Sequence, residues 1–384
     1  MTKLYLIRHA EAEGNLYRRI HGQYNSLVTD NGYRQIDALG ERFSSIPLDA
    51  VYSSDLFRSV TTAKAISDPK SLPLITQPEL REIHMGVWED KTWGEMDLKN
   101  SASMQLFVSS SPQWRVAGGE TFAQLRRRAS TAFLQIAKHH PDQSVAIVTH
   151  GTAIRYARAA FQGLPLEESR TLGHSDNTAV TMLEISGDKI TDVFSDDNSH
   201  LNPEISTLAQ QGWWKQATGT SPDENLWYEP LDLSKMPHRG LYYASRREAW
   251  MDLGRDMSWF ERQNYMEKAE ACSQKSPEYL MTVLRRNTIV GLLQLDPEVG
   301  KEEGVGYISF FYMLPEHRGN GLGVQLMGQA ISTYRPMGRT TLRLACGEDN
   351  VSALKFYERY GFRKIGERQE PFGTINILEK YIGY

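Results

Sequence analysis

At 384 residues the chain exceeds the usual size of a single hydrophobic core, so we expect two domains. A hydrophobic fraction of 40% with 23% charged residues is typical of a globular protein and excludes a disordered or fibrous one. A net charge of −4 argues against a dedicated nucleic-acid-binding protein.

Two short apolar runs in the first half of the chain end at histidines. Residues 4–7 run into Arg8 and His9, and residues 145–148 run into Thr149 and His150. A continuous apolar run of this length, closed by polar residues, predicts a central strand of a parallel sheet.

Three helical patterns accompany these strands, over residues 31–43, 56–66 and 122–139. The third is announced by a capping box formed by Thr121 and Gln124. Alternating strands and helices predict an α/β/α sandwich, whose functional sites lie at the carboxyl ends of its strands. Both histidines therefore fall where a site is expected.

Residues 201–224 are rich in Pro, Gly and Ser and predict a linker between a domain over 1–200 and a domain over 225–384. The second domain shows strand and helix patterns in mixed order, which favours an α+β fold. Its predicted strands cover residues 226–231, 279–284, 289–295 and 307–314, and its predicted helices cover residues 241–252, 259–272 and 324–331.

Four segments of the first domain supply residues suited to phosphoryl transfer. A guanidinium beside an imidazole fits this chemistry, because its planar donors bind phosphate oxygens while a neutral ring nitrogen attacks phosphorus. Each residue alone is more often structural, whereas their order and their position at strand ends favour a site. The residues are Arg8, His9, Arg58, Glu82, His150 and Gly151.

This set, together with Asn15 and Asn177, resembles the histidine phosphatase superfamily, with its phosphoglycerate-mutase-like fold, over residues 1–200. The resemblance implies that His9 is transiently phosphorylated and that Glu82 protonates the leaving oxygen and then deprotonates water. No metal is required under this resemblance. The implied phosphate-binding residues are Arg8, Asn15, Arg58, His150 and Gly151.

Two details qualify this resemblance. Ala10 stands where the usual motif of the superfamily has glycine, and it is still small enough for close approach to phosphate. The domain lacks the long insertions of the glycolytic mutases, which favours hydrolysis over mutase chemistry.

A glycine-rich turn follows the predicted strand over residues 307–314 and opens a helix. Successive amides at a helix start form a nest that suits a pyrophosphate. A Rossmann nucleotide site is rejected, because it needs a different glycine pattern after the first strand of its domain. A second block, from Asn350 through Tyr357 to Phe362, follows about thirty residues later.

Together the turn and the block resemble the GNAT N-acetyltransferases over residues 225–384. The resemblance implies acetyl-CoA as a co-substrate and Tyr357 as the acid that protonates the departing thiolate. The implied cofactor-binding residues are Met313, Leu314, Arg318, Gly319, Asn320, Gly321, Leu322, Gly323 and Asn350.

One departure from the GNAT pattern concerns the base that deprotonates the amine. Many GNAT enzymes carry a glutamate on the strand before the loop, whereas residues 308–313 of this chain contain no carboxylate. Glu316 lies past the strand and is interpreted as a solvated turn residue. The aromatic side chains of Phe310, Phe311 and Tyr312 line an acceptor pocket or pack alternately into the core.

The sequence thus predicts a bifunctional enzyme that acts on small-molecule phosphomonoesters and amines. The covalent fusion suggests that both reactions act on one small amino-containing metabolite. Two alternatives stay open: a phosphatase regulated by a non-catalytic GNAT module that senses acyl-CoA, and a phosphatase acting on proteins.

The cysteines and the apolar runs of the chain indicate its cellular compartment. Cys272 and Cys346 are too few for a disulfide scaffold or a zinc cluster, which suits a reducing compartment. No apolar run approaches the ~18 residues of a membrane span, and Arg8 interrupts the first run, which argues against a secretory leader. We expect a cytoplasmic protein without membrane or nucleic-acid partners, and leave a homo-oligomer open.

Overall fold

The computed structural model describes residues 1–211 and 225–384, which divide into two compact units, each built around one sheet. The division falls between the two described ranges. The linker was predicted over residues 201–224, and its part from 212 to 224 lies outside the described residues.

The first unit is a six-stranded sheet covered by helices. Its strands are β1 (Thr2–Arg8), β2 (Ala50–Ser53), β3 (Leu74–Thr76), β4 (Ser144–Thr149), β5 (Val180–Ser186) and β6 (Lys189–Asp197). Its helices are α1 (Glu13–Tyr17), α2 (Asp30–Ser44), α3 (Phe57–Ser67), α4 (Trp93–Lys99), α5 (Ser101–Val108), α6 (Phe122–His139), α7 (Gly151–Phe161) and α8 (Thr207–Gln210).

The strands of this sheet are ordered β3-β2-β4-β1-β5-β6. The first four run parallel, whereas β5 and β6 are antiparallel additions at one side. The predicted α/β sandwich with two apolar central strands is confirmed, because β1 and β4 are adjacent in the middle of the sheet. The antiparallel pair was not predicted from the sequence.

Side chains of β1 alternate between two apolar layers, as the period of a strand requires. Leu4 and Leu6 pack in a cluster with residues of α6 and α7, including Phe133 and Ile154. Ile7 packs on the opposite face with residues of α2 and α3. The capping box predicted at the start of α6 is confirmed, since Thr121 and Gln124 exchange side-chain and backbone hydrogen bonds.

Residues 201–211 belong to the first unit by their contacts. The Thr207 hydroxyl donates to the buried Glu11 carboxylate over 2.9 Å. Gln35, on α2, donates its amide to the carbonyl of Ile205 over 2.7 Å. The chain up to Gln211 therefore contributes contacts to this unit before it enters residues 212–224.

The second unit is a seven-stranded sheet ordered β12-β13-β11-β10-β9-β8-β7. Its strands are β7 (Leu226–Pro230), β8 (Leu280–Arg285), β9 (Thr288–Asp296), β10 (Val305–Met313), β11 (Thr341–Gly347), β12 (Arg363–Glu370) and β13 (Gly373–Tyr381). Its helices are α9 (Met236–Met251), α10 (Arg262–Lys275), α11 (Val324–Tyr334) and α12 (Val351–Arg359). The strands and helices predicted for this half are confirmed in type and place.

The sheet of the second unit is antiparallel except where β10 meets β11. These two strands pair in parallel only from Val305 to Ile308 of β10, whereas the pairing of β10 with β9 continues to Met313. The far half of β10 is thus bonded on its β9 side. Backbone groups on the β11 side of that half are placed to bind an extended ligand.

Gly86 shapes the turn that follows Glu82 and supplies a test of the fold around the first site. Its φ of +54° favours glycine, and a Cβ there would lie 2.1 Å from the carbonyl oxygen of Ala117. Gly187, in the turn between β5 and β6, has a similar φ of +59°, but a Cβ there would meet no atom within 4 Å.

We predict that Gly86→Ala lowers the free energy of unfolding by about 2–4 kcal/mol, from backbone strain plus the clash. The control Gly187→Ala should lower the free energy of unfolding by only about 1 kcal/mol, because it introduces the backbone strain without the clash. Urea unfolding of both variants measures the difference. Equal losses in the two variants would contradict the close approach at Gly86.

Candidate active sites

The register of the central strands brings two histidines together. Arg8 of β1 is level with Thr149 of β4, so the next residues, His9 and His150, are neighbours at the carboxyl edge of the sheet. Their ring centroids are 5.1 Å apart. The structure therefore places both histidines where the apolar runs indicated.

Arg58 lies in the first turn of α3 and is completely buried between the histidines. Its Nη1 donates to the carbonyl of Tyr24 over 2.9 Å and its Nη2 to that of Gly22 over 2.8 Å. Its Nε donates to His9 Nε2 over 3.3 Å. Backbone carbonyls thus hold this cation, which leaves its charge available to an anion.

The hydrogen bonds of His9 define which ring nitrogen is nucleophilic. Nδ1 lies 2.6 Å from the carbonyl oxygen of Ala10, which only accepts, so Nδ1 carries the proton. Nε2 is then the unprotonated nitrogen, and it faces Arg58. Burial, followed by the charges of Arg58 and Arg8, holds the pKa of His9 well below its usual value of 6.5. A neutral imidazole with its lone pair in the pocket is the form that attacks phosphorus.

His150 caps the start of α7 and is likewise buried. Its Nε2 lies 2.9 Å from the Ser54 hydroxyl, and its Nδ1 lies 3.4 Å from Arg58 Nη2. Burial and the charge of Arg58 hold the pKa of His150 well below 6.5. The ring is therefore neutral at pH 7 and is fixed by hydrogen bonds on both nitrogens.

Glu82 reaches the same edge from the segment that precedes Gly86. One carboxylate oxygen accepts from the backbone N–H of Ile83 over 2.9 Å, and the other accepts from that of Thr152 over 3.1 Å. The second bond ties Glu82 to the first turn of α7, two residues after His150. The carboxylate is thereby held close to His150.

Arg128 fixes the backbone that carries Glu82. Arg128 lies on α6 and is half-buried. It forms a bidentate pair with Glu120 and donates to the carbonyls of Arg81 and Glu82 over 2.9 and 3.2 Å. Arg128 is therefore a positioning residue for the candidate acid.

The remaining predicted residues of the first site lie around His9. Arg8 Nη1 donates to the carbonyl of Ser175 over 2.5 Å. A Cβ added to Gly151 would lie 3.4 Å from Cδ of Arg8, so the two residues are in close contact. Asn15 accepts from the N–H of Ala12 over 3.1 Å. Asn177 donates to the backbone carbonyl of His9 over 2.9 Å and so fixes the strand end. The structure thus brings all of these residues to one edge of the sheet.

His21 belongs to this site, although no sequence pattern predicted it. Its ring centroid is 6.2 Å from that of His9, and its Nε2 accepts from the N–H of Gly14 over 2.5 Å. Burial and the charge of Arg58 hold its pKa well below 6.5. His21 lies in a loop between α1 and α2, away from the ends of the apolar strands that marked His9 and His150.

Among the described residues, no group of three or more His, Cys, Asp or Glu side chains is arranged to hold a metal ion. The two cysteines, Cys272 and Cys346, are buried free thiols. In residues 1–211 and 225–384, no helix combines the length and apolarity required to cross a membrane.

The glycine-rich turn of the second unit connects β10 to α11 and is exposed. Gly319 and Gly321 have φ values of +77° and +73°, which only glycine adopts without strain. A Cβ at either position would meet no atom within 4 Å, so the glycines serve the backbone conformation rather than internal packing. Gly323 caps α11, Leu322 is buried beneath the turn and Asn320 is exposed.

Arg318 anchors the base of this turn. Its Nε donates to the carbonyl of Met313 over 2.8 Å, and its guanidinium pairs with Asp252 over 2.5 Å and with Glu248 over 3.1 Å. Two carboxylates therefore offset its charge. Direct binding of a pyrophosphate by Arg318 stays a prediction, as does the role of the neighbouring Leu314.

Glu248 is a carboxylate that the sequence did not connect with β10. It comes from α9 and accepts a hydrogen bond from the hydroxyl of Tyr312. Burial and the neighbouring carboxyl of Asp252 raise the pKa of Glu248. The strand itself has no carboxylate, and Glu316 is exposed, as the sequence indicated.

Tyr357, on α12, is buried against aromatic rings. Its ring centroid lies 5.8 Å from that of Phe311 and 5.4 Å from that of Phe362. Burial raises the pKa of the Tyr357 hydroxyl, which stays protonated. Asn350 accepts from the N–H of Ala353 over 3.2 Å and caps the same helix.

The aromatic side chains of β10 pack on alternate faces of the sheet. Phe310 and Tyr312 stack on each other, with centroids 5.2 Å apart, in the core beneath α9. Phe311 faces Phe356 and Tyr357 on α12. Of the two interpretations of this strand, alternate packing describes Phe310 and Tyr312, and Phe311 lies beside the candidate acid.

Two protein families match this chain, one in each half. A family profile described as "Histidine phosphatase superfamily (branch 1)" matches residues 4–197, and one described as "Acetyltransferase (GNAT) family" matches residues 240–362. The chain belongs to the histidine phosphatase superfamily. It also carries a GNAT acetyltransferase domain, so the predicted fusion is confirmed.

Individual relatives match the histidine phosphatase domain. "Probable phosphoglycerate mutase GpmB" of Proteus mirabilis is 33% identical over 172 residues, which cover 45% of this chain and 80% of that protein. The protein of the same name from Yersinia pestis is 32% identical over the same shares. The solved structure of Bacillus stearothermophilus YhfR is 32% identical, with a TM-score of 0.51, and covers 53% of this chain and 100% of that one.

The three buried histidines make stability depend on pH. Their lowered pKa values mean that, below the unfolded value of about 6.5, the unfolded chain binds more protons than the folded one. The free energy of unfolding therefore falls as pH falls from about 6.5. Each histidine contributes up to about 1.4 kcal/mol per pH unit.

We predict that His21→Gln reduces this slope by up to about 1.4 kcal/mol per pH unit, because the titration of one buried histidine is removed. Urea unfolding of the full chain between about pH 7 and pH 5 measures the slope. The control is His139→Gln, which changes an exposed histidine outside the pocket. A slope unchanged by His21→Gln would show that this ring is not held neutral by the fold.

Proposed function

We propose that the first unit hydrolyses phosphomonoesters through a phosphohistidine at His9. The observation that carries this proposal is the neutral Nε2 of His9, which faces the buried guanidinium of Arg58, with the Glu82 carboxylate held beside His150. Membership of the superfamily supports the chemistry, and the substrate is a small-molecule phosphomonoester.

In the first step His9 Nε2 attacks phosphorus, the N–P bond forms and the bond from phosphorus to the ester oxygen breaks. Glu82 in its acid form gives its proton to the departing oxygen. In the second step Glu82 takes a proton from water, the oxygen of that water bonds to phosphorus and the N–P bond breaks. Arg8, Arg58 and His150 stabilise the charge on the phosphoryl oxygens in both steps.

Hydrolysis is proposed rather than isomerisation, although the two relatives from Proteus mirabilis and Yersinia pestis are named as probable phosphoglycerate mutases. A mutase must return the phosphoryl group to a second hydroxyl and exclude water. The expectation that the domain lacks the long insertions of the glycolytic mutases supports hydrolysis. Phosphorus NMR of phosphoglycerate incubated with the protein separates the two reactions, since hydrolysis yields inorganic phosphate and isomerisation yields a second ester.

We predict that wild type incubated with a phosphomonoester and stopped rapidly carries one alkali-stable, acid-labile phosphoryl group. His9→Asn abolishes this label, because the nucleophile is lost, whereas the matched exchange His139→Asn retains it. Glu82→Gln lowers kcat by about 10²–10⁴-fold, the usual contribution of a general acid. A label that persists in His9→Asn would overturn the proposed intermediate.

We also propose that the second unit transfers an acetyl group from acetyl-CoA to an amine. Acetyl-CoA supplies the activated thioester for this reaction. The exposed left-handed glycines of the Arg318–Gly323 turn offer backbone amides to a pyrophosphate, and the far half of β10, which pairs with β9 but not with β11, suits an extended arm on its β11 side. Met313 and Leu314 lie where these two features meet, and Asn350 lies at the start of α12.

Tyr357 is assigned as the acid that protonates the departing thiolate. Its hydroxyl is protonated because burial raises its pKa, and the ring is fixed by Phe311 and Phe362. The alternative is a non-catalytic unit that senses acyl-CoA. In that case the hydroxyl has no chemical role.

We predict that Tyr357→Phe lowers the kcat of acetyl transfer by about 10²-fold, as expected for loss of a general acid, with little change in the Kd of acetyl-CoA. Transfer of labelled acetyl to an amine library measures kcat, and calorimetry measures Kd. Tyr360→Phe, at the C-cap of the same helix, is the matched control. Acetyl-CoA binding without any transfer by wild type would favour the sensing alternative.

A further inference from the structure

Two arginines beside the first site have no role in the proposed reaction. Arg155 lies on α7, one helical turn after Thr152, whose N–H holds Glu82. Arg170 lies on the 3-10 helix Glu167–Leu172, which follows α7 in the chain. Both side chains are partly buried.

The contacts of Arg155 connect it to the phosphate pocket. Its Nη2 lies 3.0 Å from Nδ1 of His174. The next residue, Ser175, accepts from Arg8 through its backbone carbonyl over 2.5 Å. Arg155 is thus connected to Arg8 through the adjacent residues His174 and Ser175.

His174 acts on Arg155 as a neutral acceptor. Desolvation, followed by the charges of Arg155 and Arg8, lowers the pKa of His174 to about 3. Because an arginine only donates, Nδ1 of His174 carries no proton where the two meet. The imidazole therefore orients the guanidinium without neutralising it.

Across residues 1–211 and 225–384, neither Arg155 nor Arg170 forms an ion pair with a carboxylate. Arg158, on the same helix as Arg155, shows the contrast: it pairs with both Asp192 and Asp196, at 3.0 and 2.9 Å. Arg170 instead lies with its guanidinium carbon 6.0 Å from the ring centroid of Phe107.

The charges of Arg155 and Arg170 repel each other at a position that is partly shielded from water. Desolvation, and then the charge of Arg170, lowers the pKa of Arg155 to about 10, so both groups remain charged at neutral pH. Partly buried charges without counter-ions lower stability, and a bound anion removes that cost. A guanidinium prefers a carboxylate or phosphate, which it binds with two parallel hydrogen bonds.

We propose that Arg155 and Arg170 bind a second anionic group, a carboxylate or a second phosphate, carried by the part of the substrate that leaves when its phosphoryl group passes to His9. This assignment rests on the proposed phosphatase function and narrows its substrate class. Binding energy from this remote group would hold the ester oxygen against Glu82.

The test uses non-hydrolysable phosphonates with two to four carbons and calorimetry on the full chain. At each length an alkylphosphonate is compared with a phosphonate ending in a carboxylate and with a bisphosphonate. We expect at least one of the two charged series to bind about 10–100-fold more tightly than the alkyl series at a matching length, the gain from a charge-assisted hydrogen bond. The charged series with the larger gain identifies the second anion as carboxylate or phosphate.

Arg155→Gln and Arg170→Gln should each remove most of that gain. The alkylphosphonate is the internal reference, because its binding reports that the variant is folded and its phosphate pocket formed. Arg127→Gln, an equal change of charge at an exposed position on α6, should keep the gain. The proposal is overturned if wild type shows no gain at any length, or if both variants keep it.

Calorimetry and the phosphoryl-label experiment together distinguish the failure of this proposal from the failure of the proposed reaction. A charge-dependent gain together with an absent phosphoryl label on His9 would refute the reaction while confirming a two-anion binding site. A label on His9 without any gain would confirm the reaction and refute the role of Arg155 and Arg170.

Discussion

One buried guanidinium group, that of Arg58, sets the chemistry of the first site. Its donors are used by the carbonyls of Gly22 and Tyr24 and by the rings of His9 and His150, and in residues 1–211 and 225–384 it forms no ion pair with a carboxylate. Its positive charge, added to the burial of the rings, keeps both histidines neutral. The proposed nucleophile and the proposed anion site thus depend on the same buried cation.

This arrangement depends on parallel strand register. A shift of one residue between β1 and β4 would send the two histidines to opposite faces of the sheet. Apolar side chains on both faces of each strand oppose such a shift, since Leu6 and Ile7 already pack on opposite sides. The hydrophobic core therefore fixes the alignment on which the polar site relies.

The sequence predicts the features that rest on local patterns. The apolar runs into His9 and His150, the capping box at Thr121 and the glycine-rich turn after β10 each carry a recognisable signal, and each occurs where it was expected. His21 and the Glu248–Tyr312 hydrogen bond were not predicted, because each joins segments that are distant in the chain and lacks a local pattern. The role of Arg128 was not predicted for the same reason: its carboxylate and carbonyl partners lie outside α6.

The contacts of residues 205–211 with the first unit bear on where the two domains can be separated. Thr207 donates to Glu11, a buried carboxylate two residues from His9, so a first domain cut at residue 200 would leave that carboxylate short of a donor. A boundary for separating the domains therefore belongs after Gln211.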